Sequence, residues 1–225
     1  MALSIPPHIA NANVAGAAAR YKWNSEIGLK FYAAKDQNVR LYKAVDEADF
    51  RSKFGLGVAI TEWIVWRFQG LADVSDALRR VEAAWAAMTT PRAATGLKLV
   101  MSHDDDREPV AGALELALCN LGDLVQEYAE GSIYLAEIVV KQAMLARHLM
   151  PDKKAFDDWL AAIVRQMAQS RPRNAKYDRR TGVYDYAHEP PLSRESFGAE
   201  FRVDDPAAQD VFLKSLDPRE NPYLG

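Results

Sequence analysis

From Phe54 to Phe68 the chain reads FGLGVAITEWIVWRF, apolar at nearly every position. A helix on a domain surface carries its apolar residues on one stripe, whereas a helix apolar all round belongs in the interior with neighbours on several sides. Asp46 is placed to cap this helix and Gly70 to end it in a left-handed conformation, which predicts a span of about 47 to 69. The next segment is patterned differently. Val74, Leu78, Val81, Trp85 and Met88 alternate spacings of four and three, so this helix is predicted to pack from one side.

PVAGALELALCNLGDLVQEYAE opens on Pro109 and stops at Gly131, giving a second mostly apolar helix over about 109 to 129. SIYLAEIVVKQAMLARHLM, closed by Pro151, predicts a third helix of this kind. Asp152 caps another, with Phe156, Trp159, Leu160, Ile163 and Met167 as its buried stripe. Upstream, Ser25 to Ala44 predicts a helix interrupted at KDQN, and residues 1–24 form an arm that orders by docking.

After Pro172 the period changes. Thr181 and Gly182, between aromatic and β-branched residues, predict a hairpin, and FGAEFRV alternates Phe197, Ala199, Phe201 and Val203 as a short strand does. Asp205 and Pro206 open a last helix, predicted to dock through Val211, Phe212 and Leu216. The chain thus divides into an arm (1–24), an α-helical bundle (25–170) and an extension packed on it (171–225). The fold class is mainly α: a bundle of five or six major helices with an irregular C-terminal extension containing a small β-hairpin.

Composition narrows the function. With 225 residues, 49% of them hydrophobic, the chain is long enough for a sizeable core. Its net charge of -3 gives no general attraction to a polyanion, so nucleic-acid binding needs a local basic patch. One stretch offers it. Arg171, Arg173, Lys176, Arg179 and Arg180 are interleaved with Tyr177, Tyr184 and Tyr186, which suits phosphate contact and base stacking, although Asp178 and Asp185 dilute the charge. Tyr and Arg are also the residues enriched at protein interfaces, and a strap contributing to a protein-binding surface is the stronger reading. No run approaches the ~20 uninterrupted apolar residues of a membrane helix, and the first residues lack the basic region of an export signal, so the expected location is cytoplasmic with no membrane partner. The single cysteine, Cys119, stands among leucines and alanines, a setting that raises a thiol pKa.

Candidate chemistry is sparse. Asp104, Asp105 and Glu108 stand in a DDxxE order that resembles the metal-binding signature of terpene synthases, but Asn120, Leu124 and Tyr128 occupy the spacing of the required second motif and lack its Ser/Thr. Acids before Pro109 also complement a helix dipole. Glu62, Glu115 and Glu137 each lie in the apolar stretch of a different helix. A di-iron carboxylate site needs Glu-x-x-His as well, and none of His8, His103, His148 and His188 lies three residues after a Glu. Ion pairs with Arg67 and Lys141 are the expected roles of Glu62 and Glu137. Phosphate-binding loops, nucleophile elbows and HExxH motifs are missing from the sequence, and neither a metal nor a cofactor is expected.

The leading expectation is a non-enzymatic cytoplasmic protein-binding protein, of the inhibitor or immunity type that neutralises a toxin or effector. That label rests on the kind of protein and on no single residue. The expected partner-binding residues are Asp123, Glu127 and Glu130, in one acidic row with Asn120, together with Arg179, Arg180, Tyr184 and Tyr186. One alternative is a small helical enzyme, metal-assisted, using Glu62, Glu115, Glu137 or Asp104 to Asp106. The other is a nucleic-acid binder using the basic tail. A homodimer meeting at Trp63 and Trp66 is also compatible with the pattern.

Overall fold

A computed structural model describes residues 3–100, 108–203 and 206–225. The fold is a mainly α bundle with a two-stranded antiparallel hairpin near its C-terminal end. In the arm, α1 (Pro7–Asn11) is a single turn, docked through the buried Ile9. Helices α2 (Ser25–Lys30), α3 (Ala34–Gln37) and α4 (Val39–Asp46) replace the one helix expected from Ser25 to Ala44. The break falls at Asn38, which leaves the helical conformation and caps α4, its Oδ1 accepting the Leu41 N–H at 3.2 Å. A short amide side chain offers the backbone that alternative.

Helix α5 (Phe50–Phe68) is buried along its whole length, as its pattern predicts. Its cap is Asp49 rather than Asp46: Asp49 Oδ1 accepts the Ser52 N–H at 2.8 Å. Asp46 is still inside α4, and its carboxylate serves Lys53 at 3.0 Å and Arg173 at 2.6 Å. Around α5 lie α6 (Ser75–Ala87), α7 (Pro109–Glu130) and α8 (Leu135–Leu149). A buried polar ladder joins three of them. Asn120 donates to Gln142 at 3.0 Å, Gln142 to Thr61 at 2.8 Å, and Thr61 to the Gly57 carbonyl at 2.9 Å. Paired in this way, polar groups in a low-dielectric core favour one register of the helices over others.

Helix α9 (Lys153–Ser170) buries the expected stripe from Phe156 to Met167. Trp63 and Trp66 are interior residues, 1% and 4% exposed, with Trp63 packed on Phe156 and Trp159, so they form no dimer surface. Helix α6 departs from its pattern. It is buried continuously from Arg80 to Ala87 because distant residues cover its second side: Gln209 donates to the Trp85 carbonyl, and Asn221 to the Arg79 carbonyl and to Glu82.

The extension carries β1 (Lys176–Asp178) and β2 (Val183–Asp185), with Gly182 at φ +76 in the turn, where a side chain would be strained. FGAEFRV is not a strand. Phe197 and Phe201 are both buried and pair with each other across a tight bend, while Ala199 and Val203 face outward, so no ladder holds one face. Helix α10 (Pro206–Ser215) docks with Gln209 buried and Val211 68% exposed, the reverse of the expected role for Val211. Two ion pairs fasten the start of the extension. Arg171 meets Asp49 at 2.5 Å, both buried, and Arg173 meets Asp46.

Candidate functional site

The residues singled out on α7 and in the extension converge at the turn between α7 and α8. Of the acidic row, Asn120 belongs to the buried ladder, Asp123 and Glu127 are half-buried, and Glu130 is exposed. Asp123 and Glu127 line a shallow polar groove of about 260 Å³ with Lys98, Tyr134, Glu137 and Lys141. Gln126 links the groove's edge, accepting from Lys98 at 2.8 Å and donating to Glu130 at 2.9 Å.

Gly131 then ends α7 at φ +68, and the hairpin sits directly on it. The Tyr184 N–H donates to the Gly131 carbonyl at 2.7 Å, and Ser132 bridges Val183. A Cβ at position 131 would lie 2.6 Å from the Tyr184 carbonyl oxygen, so only glycine allows both the turn and this approach. Ile133, Tyr134 and Tyr177 stand 42%, 56% and 44% exposed at this end, beside the exposed Arg179 and Arg180. The polar groove, in which Lys98 and Lys141 stand beside three acids, the aromatic turn and the basic hairpin tip are therefore neighbours.

Of the other residues of the tail's Tyr/Arg stretch, Arg171 is buried and Tyr184 and Tyr186 face inward, while Arg173 and Lys176 are exposed. Tyr186 donates to the Tyr128 carbonyl at 2.6 Å and stacks on Phe50 at 4.6 Å, with the Arg51 guanidinium over its ring. Tyr184 is half-buried against Phe50 and Tyr177. Tyr128 accepts from Arg51 at 3.0 Å and donates to the Met88 carbonyl at 2.9 Å, and burial pushes its phenol well above the ordinary range. Sequence reasoning missed the internal roles of Arg171 and Arg173 because their acidic partners lie 122 and 127 residues away.

A second feature is a cavity of about 390 Å³ beneath the arm. Its walls include Ile5, Ile9, Trp85 and Phe197, and its polar end is Glu62 with Arg194. Arg194 holds both carboxylate oxygens, Nε to Oε1 at 2.7 Å and Nη2 to Oε2 at 2.6 Å, and Trp85 Nε1 donates to Oε1. The expected Arg67 pairing fails on geometry. At about 100° per residue Arg67 lies roughly 140° round the helix from Glu62, and its Nε donates to the Leu149 carbonyl instead.

His8 lines the same cavity, stacked on Trp159 at 5.5 Å and beside Trp63 at 5.6 Å, and neither of its buried ring nitrogens makes a hydrogen bond. Burial first, then the Arg194 charge, lowers its pKa to about 4, so it is neutral near pH 7. Glu62 orients Arg194. With both oxygens held by donors, it is poorly placed to act as a free base.

The remaining carboxylates go elsewhere. Glu137 pairs with Lys35 at 3.5 Å rather than with Lys141, whose ammonium lies over the Tyr32 ring, and Glu115 is half-buried on α7. Among the described residues no group of three His, Cys, Asp or Glu side chains could hold a metal ion, and Asp104 to Asp106 lie outside those residues. Cys119 is buried, and no described helix is long and apolar enough to cross a membrane. Comparison with family models, curated proteins and solved structures yields no match.

Proposed function

We propose that this chain is a non-enzymatic binding protein that takes another protein on the surface built around the α7–α8 turn. One observation carries the reading: acidic residues of α7 and Tyr/Arg residues of the hairpin, far apart in sequence, are joined through Gly131 and Ser132 into one edge with exposed Ile133 and Tyr134. Protein interfaces combine aromatic anchors and arginine with a polar rim. The backbone under this edge is fixed by hydrogen bonds, so little ordering entropy opposes docking. A nucleic-acid reading draws less support, because Arg171 and Arg173 are already paired with acids of the bundle. In the inhibitor form of the proposal, the partner is a toxin or effector covered at its active surface.

The test compares the wild-type chain with a variant carrying Tyr134→Ala, Tyr177→Ala, Arg179→Glu and Arg180→Glu as bait in extracts of the native host. A stoichiometric protein that the wild type retains at moderate salt and the variant releases, with both baits melting alike, is the expected result. Truncating a single hot-spot residue, of the Tyr and Arg kind concentrated here, costs about 2 kcal/mol or more, so the loss should exceed about thirtyfold in affinity. Equal retention by both baits sinks the proposal. An activity of the partner that disappears on complex formation distinguishes an inhibitor from an adaptor.

A further inference from the structure

Arg67, in the last turn of α5, is fully buried. A guanidinium stays charged in proteins and presents five N–H donors. Here Nε donates to the Leu149 carbonyl at 3.3 Å and Nη2 to the Ala18 carbonyl at 3.0 Å, while Nη1 is buried with no acceptor. Among the described residues no carboxylate forms an ion pair with Arg67. The Leu149 carbonyl ends α8 and supplies at most part of a negative charge. A buried cation left in that state is costly unless an anion completes its surroundings.

Arg67 lines a cavity of about 410 Å³ between the arm and the turn joining α8 to α9. Arg20, His148 and Lys153 line it too, and none of its lining residues is acidic. His148 Nε2 lies 2.9 Å from the Lys22 carbonyl and therefore carries a proton directed there. Tyr21 supplies no counter-charge: its hydroxyl donates to the Pro109 carbonyl, and burial pushes its pKa up to about 12. Asp152 faces its own helix, accepting the Lys154 N–H at 2.9 Å to cap α9.

We propose that this cavity is an oxyanion site, taking the phosphate or carboxylate group of a small ligand, with Arg67 at its floor and the exposed Arg20 and Lys153 at its mouth. Ala17 to Tyr21 form one wall, so a bound anion also fastens the arm to the bundle. The site is independent of the surface at the α7–α8 turn.

Inorganic phosphate and acetate, each titrated at constant ionic strength against a chloride control, test the proposal. The expected result is a saturable rise in melting temperature, about 3–5 °C at tenfold excess over the dissociation constant, with slower amide exchange at residues 17–21. Which of the two anions acts identifies the group. Arg67→Met removes the floor but risks misfolding, so the deciding variant is Arg20→Ala with Lys153→Ala, both exposed. It should melt like wild type in chloride and bind the anion at least tenfold more weakly. Shifts no larger than chloride produces, or shifts that survive in the double variant, overturn the proposal.

Discussion

His8 shows how one side chain ties stability to pH. In the unfolded chain its imidazole titrates near 6.5, whereas burial against Trp63 and Trp159, with Arg194 on the same cavity, lowers the folded value to about 4. Protonation is therefore harder in the folded state. The unfolded chain binds more protons at any pH between these values, so stability falls as pH drops through 6.5 and the loss levels off below about 4. Its size is on the order of 3 kcal/mol. Urea unfolding at about pH 7 and again at about pH 4.5, on the wild type and on His8→Phe, should show the variant losing less between the two. Equal losses would mean that His8 stays hydrated or finds an acceptor on protonation. Glu62, Arg194 and Glu195 share the cavity, so the comparison rests on the difference between the two proteins and not on either curve alone.

At the scale of elements, close approach decides the outcome at Gly122. This residue sits inside α7, where alanine would normally gain about 1 kcal/mol of helix propensity. A Cβ there would lie 2.7 Å from the Leu97 carbonyl oxygen and 3.0 Å from Lys98 Cα, and both are backbone atoms that cannot rotate away. Gly122→Ala should therefore destabilise, by a net 1–2 kcal/mol or so, read as a lower denaturant midpoint. A gain in stability would show that segment 97–98 moves freely. Such constraints explain which elements were legible in the sequence. Pro109, Gly131, Pro151 and Asp152 act within one turn of themselves, and both ends of α7, the end of α8 and the start of α9 follow from them, whereas α8 begins at Leu135 and not at Ser132 as its pattern suggests. FGAEFRV misled because a period of two describes a strand only when a partner strand exists, and Phe197 and Phe201 pair with each other instead. The acidic row on α7 was visible as a helical face, but the hairpin's seat on Gly131 is a long-range contact that no local pattern encodes.

For the whole molecule, the extension behaves as part of the bundle. Arg171 neutralises the buried Asp49, and Arg194 the buried Glu62, while Asn221 and Gln209 cover α6. Removing one partner of a buried ion pair costs about 3–5 kcal/mol, against a total stability of about 5–15 kcal/mol for a typical domain. Residues 1–170 alone should then fail to unfold cooperatively, judged by near-ultraviolet circular dichroism and the breadth of the thermal transition. A sharp melt close to that of the 225-residue chain would show that the helices stand unaided. The same pairs impose an order on biosynthesis. A ribosome adds about 5–20 residues per second, so Asp49 and Glu62 leave it several seconds before Arg171 and Arg194 exist to meet them. During that interval the nascent helices carry unpaired acids at the seams they must close. Chaperone dependence and sensitivity to translational pausing should concentrate in that window, before residue 194 has emerged.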